Sequence, residues 1–219
     1  MTTRIQTNVV ALAERALLTK LCRVMPLWVT PDLLTLLGLA GAGVVFAGYA
    51  LSNFSLYFLG LSIFGYILHW FGDSMDGSLA RYRHIERPRY GFFVDHSTDA
   101  LGNMLIASGI GLTAAVRMDA ALFAFIGYLL LSIYVFLKRQ VLDEFQLSFV
   151  ALGPTEIRII LIAITLCMPW LGGIHFFYAD VRLSACDVVV LFGGAILYSL
   201  FLWSVWQTAG QLRREEAGR

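Results

Sequence analysis

Charge is what this chain has least of. Only 14% of its 219 residues are Asp, Glu, Lys or Arg, against 58% hydrophobic, and its mean hydropathy is +0.74. A soluble domain carries about 25% charged residues, so an ordinary water-soluble fold is excluded and a multi-span membrane protein is expected. Cysteine is scarce too. Cys22, Cys167 and Cys186 have neither disulfide nor metal-ligand spacing, and all three read as small apolar fillers. The first stretch carries Glu14, Arg15, Lys20 and Arg23 with no unbroken apolar core, so no cleavable signal peptide is expected. The net charge of +1 singles out no partner class, and no nucleic-acid partner is expected.

What remains is long apolar runs. Six segments, near 32–51, 54–80, 91–116, 119–140, 155–173 and 185–208, are each long enough to cross an apolar slab of about 30 Å. The fold expected is all-α: one membrane-embedded domain over 1–219, with a six-helix bundle at 32–208. Ahead of it, 9–25 reads as an amphipathic interfacial helix. Val10, Leu17, Leu18, Leu21 and Val24 share one face, while Glu14, Arg15 and Lys20 lie mostly off it. Thr30-Pro31-Asp32 has the form of a helix start, a capping side chain followed by proline and an acid. Gly38, Gly41 and Gly43 follow and allow close helix contact. Pro154-Thr155-Glu156 opens the fifth span in the same way.

The cations set the orientation. Arg4, Arg15, Lys20 and Arg23 precede span one. Arg81, Arg83, Arg87 and Arg89 lie between spans two and three. Lys138, Arg139 and Arg158 flank the loop between spans four and five, and Arg213, Arg214 and Arg219 form the tail. Only Arg117 and Arg182 fall on the other side. The positive-inside rule then places both termini, and the acid-rich stretch described next, in the cytoplasm. In a bacterial cell the membrane would be the inner one.

Against this background Asp73, Asp76, Asp95 and Asp99 stand out. Acids at membrane depth are costly. Asp73 and Asp76 are i, i+3 at the end of span two, and Asp95 and Asp99 are i, i+4 at the start of span three, so each pair shares a helical face. A short connection makes the two helices antiparallel neighbours, with both pairs aimed into one shallow pocket. Protonation would relieve their repulsion. Hard divalent cations, Mg²⁺ or Mn²⁺, would relieve it better. Two such ions would bridge a phosphate-type substrate for in-line displacement, leaving one carboxylate as a general base. Gly77 and Ala80 each lie one turn beyond an acid, and their small side chains leave room for a flat group. Arg81 follows, able to grip a phosphate. Gly91 precedes Asp95 by one turn.

These positions, Asp73-x2-Asp76-Gly77-x2-Ala80-Arg81-x9-Gly91-x3-Asp95-x3-Asp99, resemble the signature of the CDP-alcohol phosphotransferase family without a gap. The resemblance implies a transferase that moves a substituted phosphate from a CDP-alcohol to a second alcohol, releasing CMP. It implies metal ligation by Asp73, Asp76 and Asp95, with Asp99 as ligand or base. Gly77, Ala80 and Arg81 would lie along the cytidine diphosphate. Partners would be the CDP-alcohol donor, a lipid or alcohol acceptor, membrane lipids and a second copy of the chain in a homodimer. The element Thr30-Pro31-Asp32-Leu33-Leu34-Thr35 is similar to one preceding the family's first span, where asparagine usually occupies the place of Asp32. That departure leaves a catalytically dead member open.

Two local features lean toward head-group transfer from CDP-choline or CDP-ethanolamine to diacylglycerol. Asp95-His96 resembles the Asp-His pair of the choline and ethanolamine phosphotransferases, and an unperturbed imidazole suits proton removal from an acceptor hydroxyl. Thr155-Glu156-Ile157 resembles a Thr-Glu-Val element of the same branch, with Glu156 available to a cationic head group. The alternative is phosphatidyl transfer from CDP-diacylglycerol to a small polar or phosphorylated alcohol, held by Lys138, Arg139 and Arg158. A divalent-cation transporter is the distant rival. It needs polar groups deep in several spans, which spans one, four and six lack over most of their length.

Overall fold

The computed structural model describes residues 9–142, 153–178 and 181–217. Arg4, Arg219 and the Val10 side chain lie outside the described residues. Seven helices make up nearly all of the described chain: α1 (Val9–Val24), α2 (Pro31–Leu51), α3 (Phe58–Arg83), α4 (Pro88–Gly111), α5 (Met118–Leu142), α6 (Pro154–Leu171) and α7 (Ala185–Ala217). A small antiparallel hairpin, β1 (His175–Tyr178) and β2 (Val181–Ser184), interrupts them before α7. The sequence did not announce this hairpin; it spends the expected turn between spans five and six on paired backbone. Four helices, α2, α5, α6 and α7, are long and apolar enough to cross a membrane, and the protein is a multi-pass membrane protein. α3 and α4 are longer than α6 but fall short in apolarity, because the acid-rich stretch is built into their facing ends.

α2 begins where its signals place it. Thr30 caps it, its Oγ1 accepting from the Leu33 amide at 3.2 Å, and Pro31 occupies the first turn. It then packs on α3 with almost no side chain between the two backbones. A Cβ added at Gly41 would lie 2.4 Å from the His69 amide nitrogen, and one at Gly72 only 2.3 Å from that of Gly38. Gly43 has nothing within 4 Å of such an atom, so the expected contact stripe runs through Gly38 and Gly41 and leaves Gly43 out. This approach sets Gly38 directly against the backbone of Asp73.

α3 ends at His84, whose left-handed conformation (φ 56°) lets its amide close on Ala80 and Arg81 carbonyls. Pro88 then opens α4. The chain reverses in this short turn, yet α3 and α4 do not become close neighbours. α4 packs on α2 and α5 instead, with Gly102 against Ala42 and the His69 ring. The expectation of antiparallel neighbours is corrected in this respect: α2 lies between as a floor, while the two acid pairs do line one cleft. Carboxylates on helices in direct contact would have no room for anything between them.

α1 also differs from its expected orientation. Leu18 and Cys22 are buried, Glu14, Leu21 and Met25 are half-buried, and Leu17 and Val24 are exposed. The inward face thus includes Glu14, and α1 packs on α3. Cys22 lies in that contact, and burial pushes its thiol above the ordinary range against the pull of Arg83 and Arg81, as suits an inert filler. Cys186 is buried as well, but Cys167 lies on the exposed face of α6.

The core below the acids holds Ala42, Val45, Tyr49, Tyr66, Ile106 and Met168. A buried hydroxyl network in it joins Tyr49 to Tyr66 at 3.1 Å and to Thr165 at 2.5 Å. Tyr49→Phe leaves both partners short of a bond in a fully enclosed site, and is expected to cost about 1–2 kcal/mol, read as a lowered melting temperature with little change in turnover.

Candidate active site

The helical periodicity that pairs the acids also fixes where they sit. One cleft is lined by Thr35, Gly38 and Leu39 of α2, His69, Asp73 and Asp76 of α3, and Asp95, Thr98 and Asp99 of α4. All four aspartates singled out by spacing therefore share one cavity. Asp76 is buried, with Oδ2 accepting from Thr35 Oγ1 at 2.7 Å and Oδ1 accepting from the Gly77 amide. Asp73 Oδ2 accepts from Arg158 Nη2 at 2.5 Å. Across the cleft, His96 Nδ1 lies 3.6 Å from Asp95 Oδ2 and 3.9 Å from Asp99 Oδ2.

This donor set fits a hard divalent cation. Ligand atoms of Asp95, His96 and Asp99 come within 4.8 Å of one another, and the Asp73 and Asp76 carboxylates face the same space. Oxygen predominates, which suits Mg²⁺ or Mn²⁺ better than zinc. That group includes His96, which the signature leaves out of its ligands.

Gly77, Ala80 and Arg81 line the last turns of α3. Arg81 folds back along its own helix. Its Nη1 would stand 3.1 Å from a Cβ at Gly77, and its Nη2 reaches Ser78 Oγ at 3.3 Å. The guanidinium thus lies over the slot that Gly77 leaves. Gly91 faces open space.

The acceptor candidates divide. Arg158 is not a lining residue of the cleft but reaches two that are: Nη2 donates to Asp73 Oδ2 and lies 3.3 Å from His69 Nε2. Arg139 lies at the end of α5, its guanidinium 4.4 Å from the centre of the Phe92 ring, and Phe92 packs edge-on against His96. Lys138 is half-buried beside it. Glu156 does not turn to the cleft: Oε2 accepts from the Gly153 amide at 2.9 Å, closing the first turn of α6. Thr155 donates to Glu14 Oε1 at 2.9 Å. Asp32 pairs with Arg87 at the exposed rim and is not among the cleft residues.

Three residues in or beside the site escaped the sequence reading. His69 is i−4 from Asp73, and that spacing alone would have put it on the same face. Thr35 sits in the element before the first span but gave no sign of serving Asp76. Glu14 accepts from Trp70 Nε1 (2.8 Å), Ser74 Oγ (3.1 Å) and Thr155 on a single oxygen. Nothing in its local pattern points to partners so distant in the chain.

A comparison with curated proteins finds no match. A comparison with protein families matches residues 28–206 to the family described as CDP-alcohol phosphatidyltransferase. The match spans α2 to most of α7 and contains every acid of the cleft. Phospholipid-synthesising transferases that draw a substituted phosphate group from a CDP-alcohol make up that family, and this chain belongs to the CDP-alcohol phosphatidyltransferase family.

Proposed function

We propose that the chain catalyses metal-dependent transfer from a CDP-alcohol to a second alcohol at the α2–α3–α4 cleft, with release of CMP. The observation that carries this reading is the convergence of Asp73, Asp76, Asp95 and Asp99 on one cavity, with Arg81 folded over Gly77 beside it. α3 and α4 complete a six-span bundle, α1 lies at the interface, and the cation-rich end faces the cytoplasm with both termini. The homodimer is part of this reading and rests on the family resemblance.

Asp73, Asp76, Asp95 and Asp99 would hold Mg²⁺ or Mn²⁺. When bound, such ions polarise the pyrophosphate and neutralise charge on the departing CMP. The chain's own groups do the rest. Arg81 grips a phosphate oxygen of the donor, and the Gly77 and Ala80 positions leave room for the nucleotide. Asp99 or His96 takes the proton of the acceptor hydroxyl. The acceptor oxygen forms a bond to phosphorus as the bond from that phosphorus to the CMP oxygen breaks.

The direction favoured is head-group transfer to diacylglycerol. His96 supports it by standing beside both Asp95 and Asp99. Glu156 adds no support, since its carboxylate is engaged in capping α6. A second reading, phosphatidyl transfer to a phosphorylated alcohol, has its own observation: a guanidinium, that of Arg158, bonded to Asp73 of the cleft.

CMP release by the purified protein in lipid separates them, with CDP-choline, CDP-ethanolamine and CDP-diacylglycerol offered singly against a panel of acceptors, with Mg²⁺ or with EDTA. Release from the first two onto diacylglycerol, abolished by EDTA, is expected. Release from CDP-diacylglycerol alone would move the assignment to the second reading. Full release in EDTA would overturn the metal-dependent mechanism.

A further inference from the structure

The geometry points to Arg158 as a tethered counter-cation of the acid cluster, one that shares Asp73 with the divalent ion and so sets how tightly that ion is held. This rests on the metal reading of the cleft proposed above. The Arg158 side chain is only 11% exposed and that of Asp73 20%. A guanidinium so enclosed needs polar partners, and among the described residues its Nη2 has two, Asp73 Oδ2 at 2.5 Å and His69 Nε2 at 3.3 Å.

His69 is built to receive it. Its Nδ1 lies 3.0 Å from the Gly38 carbonyl oxygen, which only accepts, so Nδ1 carries the hydrogen and Nε2 offers its lone pair to the guanidinium. The arginine is steered from its own helix too. Thr155, three residues before it in α6, is held by Glu14, and the same Glu14 oxygen takes Trp70 and Ser74 of α3. Glu14 thereby braces the first turn of α6 against the helix that carries Asp73. It touches none of the four aspartates and is a positioning residue.

A positive charge fixed on a carboxylate oxygen opposes a second cation at the same group, the more so where water is sparse. Arg158 offsets one of the four negative charges and, for the same reason, weakens the hold on a divalent ion.

Mn²⁺ binding to the purified protein in lipid, read from the free-ion electron paramagnetic resonance signal, tests this without any turnover. Arg158→Gln is expected to tighten Mn²⁺ binding about tenfold. Arg158→Lys keeps the charge and stays close to the parent, which a merely structural role would not produce. Glu14→Ala acts from outside the cluster and is expected to tighten binding about threefold, with no added effect once Arg158 is Gln. Unchanged or weaker binding in both Arg158→Gln and Glu14→Ala would overturn the inference. Asp95→Asn keeps the two ideas apart. If it abolishes Mn²⁺ binding while Arg158→Gln changes nothing, only the counter-cation role fails. If Asp95→Asn leaves Mn²⁺ binding intact, the metal reading of the cleft fails and this inference with it.

Discussion

Asp95→Asn is expected to lower CMP release on the order of a thousandfold while the protein still inserts and melts normally. Asparagine has nearly the shape of aspartate but lacks its charge. It keeps the packing of α4 on α2 and α5 and removes one anionic ligand from a cluster where Asp95, His96 and Asp99 offer atoms within 4.8 Å of one another. Turnover and a thermal melt on the same sample check both halves. Activity within about threefold of the parent would sink the placement of the metal at this cleft. Parallel Asp99→Asn and His96→Gln variants then ask which group takes the acceptor proton. The base is the one whose loss shifts the acid limb of the pH–rate profile, while a ligand lost from the ion shifts the metal requirement instead.

Gly72→Leu is expected to prevent folding rather than chemistry. Its Cβ would fall 2.3 Å from the backbone nitrogen of Gly38. Neither atom can swing aside, so α2 and α3 must separate along their shared stripe. A cost of about 3 kcal/mol or more follows from overpacking at backbone contact. It is read as loss of the folded fraction during denaturation in mixed micelles. Activity would go with it, because the same stripe holds Gly38 against Asp73 and places Thr35 on Asp76. Gly43→Ala is the matched control. It meets nothing within 4 Å and should be neutral or stabilising by up to about 1 kcal/mol. A stable Gly72→Leu protein would show that the helices are not packed as closely as the contacts state.

Much of the fold is legible because its signals are local. Thr30 and Pro31 start α2, Pro154 starts α6, and the helix bounds fall within a few residues of the apolar segments, except where α7 runs on to Ala217. The acid pairs were legible for a related reason. Spacing of three or four residues puts two carboxylates on one face whatever the surroundings. What a face meets is a different matter. Glu14 looked like a solvent-side charge on an amphipathic helix, yet it lies inward and collects three donors from α3 and α6. Glu156 looked like a binding acid, yet a backbone amide three residues away claims it.

The sequence by itself determined the membrane class, the helix starts, the four aspartates and the family to which their spacing belongs, since each follows from composition or from separations of a few residues. Only the tertiary structure decided that α4 packs on α2 and α5 and leaves a gap opposite α3. It also decided that α2 and α3 meet backbone to backbone, and that Arg158 and His69 join Asp73. Those outcomes join residues far apart in the chain, such as Arg158 and Asp73, or His69 and Gly38. Periodicity names the face a side chain occupies. Which partner fills the space beyond that face is settled by how closely whole helices can approach, and here glycine at Gly38, Gly41 and Gly72 sets that distance.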